Sequence, residues 1–247
     1  MNLNQGIKGD DVLGRLFSEA ADKETAALQK IKNHYAKDAC PDQLVGRIEK
    51  FSFGTDFPVR VNIQDGFKKT SDSCVILILE SPHKDEFAVD KVGELKPIGP
   101  ARGCTGCAIR NYFTEIFPEY EKSDLVLVNL VQFQCSLGLS SRGKNSGSLV
   151  KNRMLDKLLR DSSRNSEVRP FVDDFIKRVD HVKGAYGQLV KFINACTITG
   201  GWNDFVKGLL TEYKVESGIN HPSTWCRTWM SVKKRHEGNK QAESKKS

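Results

Sequence analysis

The stretch CVILILESPHKDEF, residues 74–87, decides the fold class that we predict for this chain. Its first six residues are apolar and rich in β-branched side chains, which is typical of a strand buried on both faces of a parallel sheet. The strand runs into Glu80, and Pro82 holds the residue before it extended, which restricts where the carboxylate points. Such a carboxylate is either a solvated charge at a strand end or a group that positions water or stabilises a cation.

Strands and helices alternate along the rest of the chain. DLVLVNLVQF (124–133) is predicted to be a second buried strand, FPVRVNI (57–63) alternates like a strand, and 214–225 begins as a short strand that runs into a loop. Helical spacing of apolar residues predicts helices at 106–117, 149–159, 169–179, 202–213 and 225–236, and leaves 181–201 unassigned. This order predicts an α/β fold, a three-layer α/β/α domain with a central, mostly parallel sheet.

Polar side chains follow several of these strands. In sheets of this kind, ligands bind just beyond the carboxyl ends of the strands. We therefore expect Glu80, the segment after Cys135 and the stretch NHPS (220–223) to meet at one edge of the sheet. Asp85 and Glu86, in contrast, are expected to be solvated or helix-capping charges.

The sequence predicts three regions. Residues 1–70 form a helical extension, because apolar residues recur at helical spacing from Asp10 to Lys37 and a second helix is expected to begin near Asp42. Residues 71–236 form the α/β domain. Residues 237–247 end a basic, polar stretch without aromatic side chains, which is typical of a disordered tail.

The charge balance favours a polyanionic partner. The chain has 247 residues, a formal net charge of +7 and a pI of about 9.0, and basic proteins bind nucleic acids by releasing counterions. No apolar run approaches the roughly 20 residues of a membrane span, and the first residues lack the order of a secretion signal. We expect a monomer in the cytoplasm, associated with DNA and not with a membrane.

Seven cysteines are scattered along the chain. In a reducing compartment most are expected to be buried thiols. Cys104 and Cys107 have the spacing of a metal or redox pair, but a structural zinc site needs four ligands and no second pair has similar spacing. We expect no metal and no cofactor. An iron–sulfur cluster through Cys104, Cys107, Cys135 and either Cys196 or Cys226 is the alternative.

Two further positions carry polar groups of interest. Asn129 interrupts an otherwise apolar strand, so its amide either bonds to neighbouring backbone or faces a pocket and pairs with a planar polar ligand. His221 precedes a proline and is followed by Ser223, Trp225 and Arg227. Aromatic and basic side chains together suit bases and phosphates; the alternative is that the tryptophan belongs to the core.

The order of these motifs resembles the uracil-DNA glycosylase superfamily. LESPHKDE (79–86) is similar to the first motif of that superfamily, Gly-Glu-Ala-Pro-Gly-x-x-Glu. VNLVQF (128–133) resembles the strand that carries its base-reading Asn, and HPSTW (221–225) is similar to its second motif, His-Pro-Ser-Pro-Leu. GPARGC (99–104) resembles the intervening Gly-Pro segment. The resemblance covers roughly residues 70–235 and implies the fold of that superfamily.

The resemblance implies a role for each matching residue. Glu80 would orient the attacking water and stabilise the cationic sugar, and His221 would donate a hydrogen bond to O2 of the leaving base. Asn129, His83 and Pro82 would contact a base that has been flipped out of the duplex. Ser81, Ser223 and Arg227 would bind the flanking phosphates, with Trp225 as the apolar wedge. With no active-site lysine evident, hydrolysis to an abasic site is expected and strand cleavage is not.

The departures from the motifs bear on the substrate. Leu79 replaces a Gly, His83 stands where uracil-specific members have a ring or a Gly, and small residues follow Gly103 where a stacking Phe is expected. A roomier pocket favours a modified cytosine of foreign (phage) DNA, as in the anti-phage branch of the superfamily, over uracil repair. A catalytically inactive nucleic-acid binder of the same fold and a nucleoside hydrolase are the remaining alternatives.

Overall fold

The computed structural model describes residues 38–48, 61–63, 66–135, 147–160, 169–198, 200–217 and 219–225. Its centre is a six-stranded sheet. The strands are β1 (Gln43–Arg47), β2 (Val61–Asn62), β3 (Cys74–Leu79), β6 (Asp124–Asn129), β7 (Val190–Asn194) and β8 (Val215–Glu216), in the spatial order β2-β1-β6-β3-β7-β8. Strands β6, β3, β7 and β8 pair in parallel, whereas β1 pairs antiparallel with both β2 and β6. The predicted α/β class with a mostly parallel sheet is therefore confirmed.

Two strands form the centre of the sheet because their side chains are apolar on both faces. Every residue of β3 and of β6 is buried, and the two strands pair in register from Cys74 with Asp124 to Leu79 with Asn129. The pairing brings Glu80, which follows Leu79, and Asn129 to the same end of the sheet. That end is the carboxyl edge, where ligands bind in sheets of this type.

Helices cover both faces of the sheet. Helix α1 (Cys104–Ile116) packs on one face, and α2 (Gly147–Leu155), α3 (Arg169–Tyr186) and α4 (Trp202–Leu209) pack on the other. A π-helical turn, Asp156–Arg160, continues α2. The alternating side chains of β3 divide between two apolar clusters, one for each layer of helices. A separate hairpin, β4 (Phe87–Val89) with β5 (Leu95–Pro97), follows the 3₁₀ turn Lys84–Glu86.

A buried ion pair holds the end of β6. Arg178, on α3, pairs with Asp42, which precedes β1, and both side chains are almost fully buried. Asp42 Oδ1 accepts the backbone N–H of Asn129 at 3.1 Å, and Arg178 Nη1 donates to the backbone oxygen of Asn129 at 3.0 Å. The pair thus satisfies the backbone polar groups of Asn129, the last residue of β6, and fixes the position of this residue.

Several sequence predictions can be scored on the described residues. The helix expected near Asp42 is wrong, because β1 lies there and places Leu44 and Val45 on opposite faces of the sheet. The strand predicted at 124–133 ends at Asn129, and the unassigned segment 181–201 contains β7. The helices predicted at 106–117, 149–159, 169–179 and 202–213 are confirmed with shifted ends.

Other predictions fall on other parts of the chain. The helix over 10–37, the segment 136–138, the helix beyond Trp225 and the tail at 237–247 lie outside the described residues. Among the described residues, the helices are too short or too polar to traverse a bilayer.

Breaking the buried ion pair should cost far more stability than weakening its exposed neighbour. Asp42→Asn leaves the Arg178 charge buried without a full counter-charge, so we expect a loss of about 3–5 kcal/mol in the free energy of unfolding. Asp174→Asn removes a partially exposed carboxylate that contacts the same guanidinium at 2.7 Å, and a loss of less than about 1 kcal/mol is expected. Urea denaturation measures both, and equal losses would contradict this account of the pair.

Candidate active site

One cavity of about 290 Å³ opens at the carboxyl edge of the sheet. It lies at the ends of β3 and β6 and at the start of α1. Its wall includes three groups that are far apart in sequence: the carboxylate of Glu80, the amide of Asn129 and the imidazole of His221. Lys151 and Ser223 also line it, as do residues around the first turn of α1. The structure therefore brings the acid, the amide and the imidazole together.

Glu80 is a buried carboxylate with an unusually complete set of donors. Its side chain is 2% exposed. Oε1 accepts hydrogen bonds from both the backbone N–H and the hydroxyl of Thr197, and Oε2 accepts from the ammonium of Lys151. Burial alone would raise the pKa of Glu80, but the Lys151 charge and the hydrogen bonds from Lys151 and Thr197 lower it below the ordinary value. Glu80 is therefore ionised at neutral pH, and the interpretation as a solvated surface charge is wrong.

His221 is held as a neutral imidazole with a defined tautomer. Its Nδ1 accepts the backbone N–H of Ser223 at 3.3 Å and lies 2.9 Å from the Ser223 hydroxyl. Because Nδ1 is an acceptor, the ring proton is on Nε2, which is a donor. Burial lowers the pKa of His221 to about 4, with the Lys151 charge acting in the same direction and the Glu80 charge opposing both. The site thus combines an ionised acid with an uncharged hydrogen-bond donor.

Asn129 contributes a buried side-chain donor to the cavity. The residue is 1% exposed, and its Nδ2 is buried without a hydrogen-bond partner among the described residues. An unmet buried donor costs about 1–3 kcal/mol, and this one belongs to a side chain that lines the cavity. Asp42 and Arg178 hold the backbone N–H and C=O of Asn129, so the residue itself is fixed beside the cavity. A ligand with an acceptor atom would satisfy it.

Lys151 lines the cavity but was not predicted from the sequence to be a site residue. It lies on α2, its side chain is 17% exposed, and its ammonium contacts Glu80 within the cavity. The next residue anchors the helix, because Asn152 Oδ1 accepts from Trp202 Nε1 at 3.0 Å. No spacing or motif distinguishes Lys151 from the other basic residues of the chain. Only the crossover of α2 over the sheet brings it to Glu80, so the premise that the site has no lysine is wrong.

A second buried carboxylate and two close-packed glycines shape the segment that leads to the start of α1. Glu86, expected to be solvated, is 5% exposed, and its Oε1 accepts the backbone N–H of Ala101 at 2.9 Å. Ala101 has a φ of 54°, a conformation that L-residues seldom adopt. A Cβ on Gly103 would lie 2.7 Å from Asp85 Oδ2, and one on Gly99 would lie 2.4 Å from Gln43 Oε1. Neither glycine has room for a side chain, and Gly103 lines the cavity together with Glu86.

The other predicted base and phosphate contacts are only partly brought to the cavity. His83 lines it, with Nδ1 3.1 Å from Asp85 Oδ2, and Ser223 lines it beside His221. Pro82 is buried and is not among the lining residues. Ser81 lines the cavity, but its hydroxyl is buried, so the phosphate contact expected of it is not available in this arrangement. Arg227 lies outside the described residues.

The structure corrects the role expected of Trp225. The side chain is 1% exposed and packs against the rings of Phe113 and Phe117, at centroid distances of 6.2 and 5.8 Å. Its Nε1 donates to the backbone oxygen of Asn220 at 2.7 Å. Trp225 is therefore a core residue that anchors the His221 turn on α1, and it is not placed to act as a wedge. The core interpretation, also open from the sequence, is the one observed.

The cysteines divide between surface and core. Cys104 and Cys107 are exposed at the start of α1, whereas Cys135 and Cys196 are buried in the apolar cluster that contains α2, α3 and α4. Burial raises the pKa of the Cys135 thiol to about 12. Within the described ranges, no three side chains of His, Cys, Asp or Glu are grouped as ligands for a metal ion. The iron–sulfur alternative therefore has no assembled ligand set there; Cys226 lies outside those ranges.

The protonation state of His221 gives a testable pH dependence. An unfolded histidine takes up a proton near pH 6.5, whereas folded His221 does so only near pH 4. Between these values the unfolded state binds more protons, so the free energy of unfolding should fall as the pH falls. Nitrogen-15 NMR should show a neutral ring with its proton on Nε2 down to about pH 4. In His221→Gln, part of the loss of stability below pH 6.5 should disappear. A titration midpoint near pH 6.5 for the ring of the wild-type protein would contradict this account of His221.

Comparison with protein-family models, with curated proteins and with solved structures found no match to this chain. The resemblance of its motifs to the uracil-DNA glycosylase superfamily therefore stays a prediction, supported by the three groups that meet in the cavity.

Proposed function

We propose that this protein is a DNA glycosylase that hydrolyses the N-glycosidic bond of a flipped-out, non-standard pyrimidine and leaves an abasic site. The observation that carries the proposal is the meeting of Glu80, Asn129 and His221 in one cavity. An anionic acid, a neutral imidazole donor and an unpaired amide are the groups that departure of a pyrimidine requires. Each faces a different part of the nucleotide.

The sugar becomes positively charged as the base departs. Glu80 is buried and ionised, so its charge acts at short range in a region of low dielectric. Two donors from Thr197 occupy Oε1, which leaves the second lone pair of Oε2 to orient a water or to face the anomeric carbon. This arrangement suits stabilisation of an oxocarbenium-like sugar more than strong general-base catalysis, because three donors reduce the basicity of the carboxylate.

The base becomes negatively charged as it departs. In this proposal Nε2–H of His221 donates to O2 of the pyrimidine, and Nδ2 of Asn129 donates to an acceptor on its exposed edge. A protonated His221 would form an ion pair with Glu80. The neutral imidazole does not, so its Nε2–H is available to the base, and this hydrogen bond strengthens as negative charge develops on the base. The Asn129 amide is already buried, so a hydrogen bond to the base removes the free-energy cost of its unsatisfied donor.

The small residues at the start of α1 bear on which base is removed. Gly103, Cys104 and Thr105 line the cavity where the superfamily places a stacking ring. We therefore favour a modified cytosine of foreign DNA over uracil. The positive charge of the chain, +7, supports nucleic acid as the partner.

The substrate is tested by a screen of base release. Oligonucleotides, single- and double-stranded, that carry uracil, 5-hydroxymethylcytosine or a glycosylated 5-hydroxymethylcytosine are incubated with the protein, and abasic sites are measured. Release of a bulky modified cytosine in preference to uracil is expected. Efficient release of uracil with modified DNA left intact would reverse the assignment of substrate.

Glu80 distinguishes an enzyme from an inactive binder. Glu80→Gln should slow base release by at least about 100-fold, the effect of losing one preorganised electrostatic group, while DNA affinity stays similar. The matched control is Glu94→Gln, which removes an exposed carboxylate of the β4–β5 hairpin and should leave the rate unchanged. If wild type and Glu80→Gln bind DNA equally and neither forms abasic sites on any of the substrates, the inactive binder is the correct function.

A further inference from the structure

The ammonium of Lys151 lies in the proposed active site, where it contacts Glu80. Its side chain is 17% exposed, and its contact with Glu80 lies inside the cavity. The helix that carries it is anchored by buried Met154 and Leu155 and by the bond from Trp202 to Asn152. A lysine fixed in this way holds its amine at one place in the site, unlike the solvated lysines of the surface.

The bonds of Glu80 define what lies next to that amine. Oε1 is taken by the two donors of Thr197, so the side of the carboxylate that remains for a substrate is Oε2. Lys151 donates to that same oxygen. Any atom that Glu80 stabilises through Oε2 is therefore also a neighbour of the amine. In the proposed function this atom is the anomeric carbon, C1′.

We propose that Lys151 is a second catalytic residue, which attacks C1′ of the abasic sugar, forms a Schiff base and cleaves the DNA strand by β-elimination. This inference rests on the proposed glycosylase function, since the cavity must hold the sugar. It adds a lyase activity to the hydrolysis expected from the sequence. The reason for expecting hydrolysis alone was the apparent lack of a lysine, and the structure places one on Glu80.

Water exchanges the protons in these steps, because Glu80 is a weak base in this site. The ammonium of Lys151 loses a proton to water, and the freed lone pair adds to the aldehyde carbon of the open-chain abasic sugar. The carbinolamine takes up a proton, loses water and becomes an iminium. A water beside the Glu80 carboxylate then removes a proton from C2′, the C2′–H electron pair forms the new C2′=C3′ double bond, and the 3′-phosphate leaves with the C3′–O pair. Water hydrolyses the iminium and releases Lys151.

The experiment uses DNA with a preformed abasic site, so the identity of the excised base is not needed. Full-length protein is mixed with single- and double-stranded oligonucleotides that contain one aldehydic abasic site, with and without sodium borohydride. Hydride reduces the C=N bond to a stable secondary amine and leaves the protein attached to the DNA. We expect a covalent adduct with wild type and strand cleavage without borohydride, and peptide mass spectrometry should locate the adduct on Lys151.

Two variants separate nucleophilic attack from charge. Lys151→Arg keeps the positive charge beside Glu80 but lacks a nucleophilic amine, and should lose at least about 90% of the adduct, a tenfold change that corresponds to about 1.4 kcal/mol. Lys207→Arg changes an exposed lysine of α4 and should form the adduct as wild type does. Thermal unfolding of both variants checks that they are folded.

The outcomes distinguish this inference from the proposed function. An adduct that maps to Lys151 supports it. A wild-type protein that forms no adduct, or one whose adduct maps to another lysine, overturns it. In either of the latter cases the glycosylase proposal is judged separately by base release, because hydrolysis through Glu80 does not need the amine as a nucleophile.

Discussion

The buried ion pair between Asp42 and Arg178 is the interaction on which the candidate site depends. It joins the start of β1, the middle of α3 and the end of β6, three parts of the chain with no local relation. A buried ion pair is often no more stabilising than apolar residues of the same volume. Its contribution here is geometric, because it holds both backbone polar groups of Asn129, whose side-chain donor has no partner among the described residues. Stability and positioning are coupled at this one residue.

Within the cavity, burial raises the pKa of Glu80 and lowers the pKa of His221. It disfavours charge on both Glu80 and His221, yet only the carboxylate has partners that restore the charge. Lys151 and Thr197 keep Glu80 ionised, while the Ser223 backbone N–H commits Nδ1 of His221 to accepting. At neutral pH the cavity therefore holds an ionised carboxylate and a neutral imidazole, which do not form an ion pair. Such separation of protonation states is typical of catalytic sites.

The sequence predicted the parts of the fold that depend on local pattern. The continuous apolar runs of β3 and β6 identified the centre of the sheet, and Glu80, which follows β3, identified the edge. Asn129 was expected in the middle of its strand, whereas it ends β6. β1 was missed because Leu44, Val45 and Ile48 fit either a helix or a strand. Pairing with β6, through a bulge at Gly46 with a φ of 116°, decides for the strand.

The site residues that the sequence misassigned depend on contacts distant in the chain. Lys151 is recognisable only once α2 has crossed the sheet to reach Glu80, and Trp225 only once α1 offers Phe113 and Phe117 as its packing partners. Both residues act on a catalytic group of the proposed site. Buried Trp225 fixes the turn that carries His221, and Lys151 determines how much of the Glu80 charge is left for the sugar. An acid whose charge is partly neutralised stabilises a cation less, so a site that keeps this lysine gains most if the amine itself takes part in the chemistry.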